Sequence, residues 1–261
     1  MPPTMRPHSR RPSRRRPAKT RGPVWLFDLD NTLHHASHQV FPAINRAMTQ
    51  YIIDRVGVDI DEANRLRVGY TVRYGAALLG LVKHHGVDPA DFLHVVHTFS
   101  DLPSMLRAER GIKRMLHALP GRKIVLTNGP SVYARAVLAE LGIEKLFERV
   151  IAIEDMREGD RWRAKPDAPM LRQAMRRAHV RLADAILVED TRGHLKSYRR
   201  LGIRTVWIVG HLPAARTSSG AVSVRMPGAG RPHYVDRTVQ SVRALALGLR
   251  GRALGRPAAK P

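Results

Sequence analysis

Two hydrophobic rhythms alternate along the chain. Runs of four or five mostly apolar residues at 24–27, 123–126, 150–153, 185–188 and 205–209, the second opening on Lys123 and the last on Thr205, are bounded by polar or turn residues, which predicts buried strands. Between the later runs, apolar residues recur at three- and four-residue spacing. That pattern predicts helices over 112–119, 131–141, 168–178 and 195–201, with Gly142 and Gly202 ending the second and the fourth. A last short strand and helix fall within 234–247, after a Pro-, Gly-, Ser- and Ala-rich loop at 213–232.

Residues 41–108 contain no strand pattern. Asp59 is placed to cap a helix running through Ala63, Leu66 and Val68. Asp88-Pro89 supplies an N-cap and a first-turn proline for a helix with Phe92, Val95, Val96 and Phe99 on one face. Strands alternating with helices imply βαβ units and a parallel sheet, so the helical block becomes an insertion after the first strand. The expected plan is an α/β core at 23–33 and 109–250, a helical cap at 34–108, and disordered tails at 1–22 and 251–261.

Net charge is +23, and residues 1–23 and 211–261 carry sixteen of those charges. A basic arm can bind nucleic acid. Arginine outnumbers lysine along the whole chain, however, which favours a solvated tail, and nucleic acid is not the expected partner. The N-terminal arm has the Arg and Ser content of a transit peptide, but its prolines oppose an amphipathic helix. With no cysteine, there can be no disulfide framework or thiol nucleophile. The absence of an apolar signal core, or of a run of about 18 apolar residues, argues against export and membrane insertion and for a cytoplasmic protein.

In parallel α/β sheets the reactive groups gather at the carboxyl ends of strands, and four strand ends here are polar. The first reads Asp28-Leu29-Asp30-Asn31-Thr32. Its two carboxylates, two residues apart, share one side of extended chain; they repel each other and call for a cation such as Mg²⁺. One can attack phosphorus while the other handles a proton. The second end, Thr127-Asn128-Gly129, offers a hydroxyl, an amide and a flexible backbone for a phosphate oxygen, followed by a helix start at Ser131 that favours anions. Lys165-Pro166 presents an ammonium ahead of a helix, where it could neutralise a transferring phosphoryl group. Glu189-Asp190 closes the fourth strand with adjacent acids suited to a metal.

This ordered set, with gaps of 99, 38 and 24 residues, resembles the haloacid dehalogenase (HAD) superfamily across residues 24–210. The resemblance implies a Rossmann-like core with a helical cap inserted after the first strand. It also implies that Asp28 is the nucleophile forming an aspartyl-phosphate, and that Asp30 is the acid and then the base. Thr127, Asn128 and Lys165 would hold the phosphoryl group. Asp28, the Asp30 carbonyl and Asp190 would bind Mg²⁺, with Glu189 in support. His194 and Leu195 stand where the family often has a further acid. Asp30 favours phosphate esters over carbon–halogen bonds, since dehalogenases do not need a second acid.

A narrower likeness, to the pyrimidine 5′-nucleotidase branch, rests on Phe27 to Leu33, Tyr74-Gly75, Gly80-Leu81, His85-Gly86-Val87-Asp88, Asp91-Phe92-Leu93 and Leu126 to Pro130. It implies a small phosphate monoester such as UMP or CMP, with Tyr70, Arg73, Tyr74 and His85 on the cap as candidate substrate contacts. The alternatives are a sugar-phosphate or phosphoglycolate phosphatase or a phosphomutase on the same scaffold, or a nucleic-acid-binding protein using its basic ends. His34, His35 and His38 are expected on an exposed loop, not as a second metal centre. Trp25 and Trp207 are assigned to the core.

Overall fold

The computed structural model describes residues 22–212 and 231–248, with two further short strands at 215–216 and 222–223. The expected tails and most of the expected 213–232 loop lie outside the described residues. Strand β1 (Val24–Phe27) is fully buried and sits at the centre of a parallel sheet with β2 (Arg122–Leu126), β3 (Arg149–Ile151), β4 (Ala185–Glu189) and β5 (Arg204–Ile208). Strands β6 (Ala215–Arg216) and β7 (Val222–Ser223) form a separate antiparallel pair, and β8 (Arg237–Val239) completes the main sheet in the order β3-β2-β1-β4-β5-β8. The order runs one way from β1 to β3 and the other way from β4 to β8. The reversal opens a crevice at the carboxyl ends of β1 and β4, where ligands bind in open α/β sheets.

Side chains of β1 alternate between the two faces. Trp25 and Phe27 join one buried cluster with helices α6 (Ile112–Ala118), α7 (Ser131–Glu140) and α10 (Val242–Gly248). Val24 and Leu26 join the other, with α8 (Ala168–Arg177) and α9 (Arg192–Arg199). The core is therefore a three-layer sandwich whose two central strands, β1 and β4, carry no polar side chain until they end.

Between β1 and α6 lie α1 (Val40–Val56), α2 (Ile60–Tyr74), α3 (Ala77–His85), α4 (Pro89–Val96) and the single turn α5 (Leu102–Met105). The first four share a cluster that includes Tyr51, Ile52, Leu78, Leu81, Phe92 and Leu93. α1 bridges the layers, since Val40 and Ile44 belong to the sheet-side cluster while Tyr51 and Ile52 belong to the helical one. The caps form as their residue types dictate: Asp59 accepts from the Glu62 amide at 2.8 Å and Asp88 from the Asp91 amide at 2.7 Å. Two expectations differ in detail. Residues 152–153 leave the strand, because a 3-10 turn begins at Ile153 and the Asp155 carboxylate accepts from the Ala152 amide. Val95 is 43% exposed, because α4 ends at Val96 and Phe99 packs back on the sheet cluster.

Helices α2 and α3 meet at Gly80. A Cβ there would run into the ring of Tyr70. Alanine in a helix interior normally gains about 1 kcal/mol over glycine, but overpacking against a fixed ring costs roughly 1–3 kcal/mol, so the sign reverses. Gly80→Ala is expected to lower the melting temperature; an unchanged or raised midpoint would show that the α2–α3 contact is loose.

Candidate active site

The polar ends of β1, β2 and β4 converge with Lys165, which stands not at a strand end but in the loop before α8, on one cleft of about 520 Å³ between sheet and helical block, lined by Asp28, Asp30, Thr127, Asn128, Lys165 and Asp190 among others. Asp28 directly follows β1, and its amide still pairs with the Val188 carbonyl at 3.0 Å, which fixes the backbone below its carboxylate. The chain then turns sharply, with Leu33 N–H bonding Leu29 O at 2.8 Å and Asn31 in the left-handed region (φ 59°), which asparagine tolerates. The Asn31 side chain holds Ser37 through two hydrogen bonds of 2.8 and 2.9 Å, locking the turn.

Lys165 is buried and reaches two acids, with Nζ 2.5 Å from Asp28 Oδ1 and 2.9 Å from Glu189 Oε2. These contacts hold its ammonium well above the usual lysine range, although burial alone would lower it. Burial and the neighbouring Glu189 and Asp30 push the Asp28 carboxyl up to about 7, against the pull of Lys165. Asp190 is pushed up to about 9 by burial and by Asp28 and Glu189. Burial also works against charge on Glu189, yet Lys165 and His194 keep it well below the carboxylate range.

The two acids of the fourth motif are therefore unlike. Both oxygens of Glu189 are engaged, one by Lys165 and the other by the Thr191 amide at 3.0 Å, while His194 Nδ1 lies 3.1 Å from Oε2. The Asp190 carboxylate accepts from the Thr191 hydroxyl, at 3.0 Å, and has no hydrogen bond or ion pair with Lys165 among the described residues. Carboxylate oxygens of Asp28, Glu189 and Asp190 lie within 4.8 Å of one another. Four carboxyls face one ammonium in this cleft, and the three clustered donors are hard oxygens, a set that fits Mg²⁺.

Asp30 is treated differently from Asp28. His34 Nε2 lies 2.9 Å from its Oδ1, and the Tyr133 hydroxyl donates to the same oxygen at 2.6 Å. Burial opposes ionisation of Asp30, but these partners hold its carboxyl below the ordinary value. Both bind Oδ1, which leaves Oδ2 free for the cleft. Thr127 is buried, with its Oγ accepting from the Gly129 amide at 3.0 Å, so its proton can point elsewhere.

Several expected placements change. Asn128 does not present a free amide to the cleft. Its oxygen accepts from the Lys165 N–H at 2.8 Å and its nitrogen faces the Gly75 and Lys165 carbonyls at 3.4 and 3.3 Å, so it braces the lysine loop and the cap together. The Ser131 amide at the α7 start already meets the Glu154 carboxylate, at 3.1 Å to each oxygen. His34 is completely buried, not exposed, because the turn after Asp30 folds it inward. Trp207 is only partly buried, and its indole N–H bonds the Asp190 carbonyl at 2.9 Å.

The cap candidates Tyr70 and His85 bond each other, at 2.8 Å between the hydroxyl and Nε2, away from the cleft. Tyr74 bonds His84 at 2.7 Å, and with Arg73 it lines a second cavity next door. Thr71, Val72, Phe92 and His97 face the cleft instead. His34, Tyr133, His97 and Trp207 are the neighbours the motifs do not reveal. Only His34 carries a sequence signal, its four-residue spacing from Asp30.

Comparison with known proteins extends this picture. Phosphate metabolism protein 8 of Saccharomyces cerevisiae is 26% identical over 193 residues, which cover 69% of this chain and 59% of that relative, so the match spans about three-fifths of its length. Among solved structures, a HAD phosphatase from Thermococcus onnurineus matches with TM-score 0.57 at 18% identity, covering 88% of this chain and 98% of that one. CbbY from Rhodobacter sphaeroides, in complex with phosphate, gives 0.55 at 19% identity over 85% and 95%. L-2-haloacid dehalogenase from Xanthobacter autotrophicus gives 0.52 at 17% over 89% and 100%. These structural likenesses speak for the fold, which phosphatases and dehalogenases share. The family model for haloacid dehalogenase-like hydrolases matches residues 24–202, the stretch from β1 past α9 that carries three strand-end motifs and the Lys165-Pro166 loop before α8, and the chain belongs to that family.

Proposed function

We propose that this hydrolase is a Mg²⁺-dependent phosphatase that cleaves small phosphate monoesters through an aspartyl-phosphate on Asp28, with pyrimidine nucleoside 5′-monophosphates as its substrates. The observation that carries the reading is the pairing of Asp28 with a buried Lys165 beside a second acid, Asp30, that is separately held by His34 and Tyr133. A dehalogenation needs the first acid and the lysine; the second, oriented acid has work only when a leaving oxygen must be protonated.

In this reading an Asp28 oxygen attacks phosphorus as the bond to the leaving oxygen breaks, and Asp30 donates the proton that oxygen needs. The arriving phosphoryl group adds negative charge beside Asp30 and shifts it toward the protonated form. Water then attacks the phosphorus of the aspartyl-phosphate, Asp30 takes its proton, and Asp28 is released with inorganic phosphate. Lys165 and the Thr127 hydroxyl hold phosphoryl oxygens throughout. Asp28, Asp190 and the Asp30 carbonyl would hold Mg²⁺, with Glu189 keeping Lys165 in place. When bound, the ion supplies positive charge against the phosphoryl oxygens.

Phosphate release from UMP, CMP, glucose 6-phosphate and phosphoglycolate, with Mg²⁺ or with EDTA, tests this directly. UMP and CMP are expected to exceed the others at least tenfold in kcat/KM, and EDTA to stop release. Equal rates across the panel would remove the nucleotidase substrate, and no release from any compound would remove the phosphatase.

The raised carboxyls give a second test. A carboxyl whose folded pKa is raised binds more protons folded than unfolded, so its contribution to stability is full below the unfolded value of 3.8 and is lost as pH rises through 7 for Asp28 and 9 for Asp190. The metal-free protein should therefore melt at lower temperature at pH 9 than at pH 6. Bound Mg²⁺ must displace those protons, so the rise in melting temperature it confers should grow over the same interval. A magnesium effect that is flat with pH would put the ion elsewhere.

A further inference from the structure

A second cavity of about 730 Å³ lies against the catalytic cleft, and Val72, Gly75 and Pro166 form part of the lining of both. Its walls interleave aromatic faces with cations. Tyr74 has the Arg73 guanidinium 5.3 Å and the Lys83 ammonium 5.4 Å from its ring centroid, and Trp162 lines the same wall, backed from outside the lining by the Arg157 guanidinium 5.2 Å from its centroid. Among the described residues, neither Arg73, Lys83 nor Arg161 has a carboxylate partner. Arg163 is paired with Glu158 and Asp167, at 2.5 and 2.7 Å. The cavity's acids are Asp167, held by that pair and by its cap bond to the Met170 amide at 2.7 Å, and Asp160, fully exposed with Arg157 4.0 Å away. The balance in the cavity is positive, and three cations are free to take an anion.

The catalytic cleft does not need this space, since about 520 Å³ already suits a small phosphate monoester. Cations beside half-buried aromatic rings suit a ligand with a π-system and an anionic group together, the base packing against a ring and the phosphate meeting arginine or lysine. We propose that this cavity is a separate binding site for a mononucleotide-class ligand, an aromatic base bearing phosphate. The site touches the catalytic machinery through two backbone points. Gly75 ends α2, and a Cβ on it would sit 2.6 Å from the Lys165 carbonyl; Pro166 directly follows the catalytic lysine. An occupant seated there would contact Pro166, on the loop that carries Lys165.

The test uses the full chain as Asp28→Asn, without Mg²⁺, so that no nucleotide is consumed, and reads tryptophan fluorescence during titration with UMP. Saturable quenching is expected, and it should disappear in Trp162→Phe, which marks it as this cavity's signal. Lys83→Ala/Arg161→Ala, both exposed positions, should raise the dissociation constant at least tenfold while, on the otherwise wild-type chain, p-nitrophenyl phosphate turnover stays within twofold. Uridine and inorganic phosphate should each bind at least tenfold more weakly than UMP. The readout needs no catalysis, so it stands even where UMP is no substrate. The proposal is overturned if the double variant keeps UMP affinity within twofold, if phosphate alone binds as tightly as UMP, or if a ten-nucleotide oligo(dT) binds at least tenfold tighter, which would make the cavity part of a nucleic-acid groove.

Discussion

Asp28→Asn is expected to remove turnover and phosphoenzyme together while leaving the fold intact. The loss should be on the order of 10⁴-fold or more, the scale seen when a covalent nucleophile is deleted. The amide keeps the shape and the hydrogen-bonding capacity toward Lys165 but cannot attack phosphorus. Stability should move by no more than about 1 kcal/mol, because two effects oppose each other. The variant loses the 2.5 Å charge contact with Lys165, and it also removes the charge that Glu189 and Asp30 repel. Lys165 retains Glu189 at 2.9 Å, so no ammonium is stranded. Acid-quenched labelling with a ³²P-phosphate ester, alongside phosphate release and a thermal melt, checks all three quantities. Activity within tenfold of the parent would end the covalent reading at this residue, and a large drop in melting temperature would show that the carboxylate is structural.

The parts of this site visible in the sequence are those that sit at element ends. A strand buried on both faces is apolar over its carboxyl half, as Ile124 to Leu126 show in β2, so the first polar residues at the ends of β1, β2 and β4 mark the cleft without any knowledge of strand order. The N-caps at Asp59 and Asp88 were equally visible, because a cap is a local bond. What the sequence does not show is contact between distant segments. Tyr133 lies 103 residues from Asp30, and nothing in α7 distinguishes it from a core tyrosine. Trp207 looks like any strand aromatic until β5 pairs with β4 and brings its indole under the Asp190 carbonyl. The cap candidates show the reverse case. Tyr70 and His85 have the chemistry to touch a substrate, but α2 packs on α3 so that each satisfies the other, while Thr71 and Val72, one and two residues on from Tyr70, turn toward the cleft.

Lys165→Met should be the most destabilising of the single substitutions in the cleft. Methionine fills similar space with an unbranched chain, so cavity formation contributes little, and the cost is electrostatic. Removing the ammonium leaves Asp28 and Glu189, 8% and 1% exposed, as neighbouring buried acids with no cation between them. Stranding one partner of a buried pair costs roughly 3–5 kcal/mol, which for a chain of this size lowers the melting temperature by about 10 °C. The sign with pH follows from which form is penalised. In the parent, Lys165 holds Glu189 ionised at a low pKa; in the variant both carboxyls favour the proton, so the penalty is small where they can keep it, near pH 5, and large near pH 8, where the unfolded chain would release it. Mg²⁺ should recover part of the loss at pH 8, since it restores positive charge beside Asp28, but it should not restore turnover, because no group then faces the phosphoryl oxygens from the lysine's side. Thermal melts at both pH values, with and without the ion, separate this from a packing defect, which would cost the same at either pH. A drop of under 2 °C at pH 8 would mean that the two acids are already neutral in the parent and that Lys165 is not what balances them.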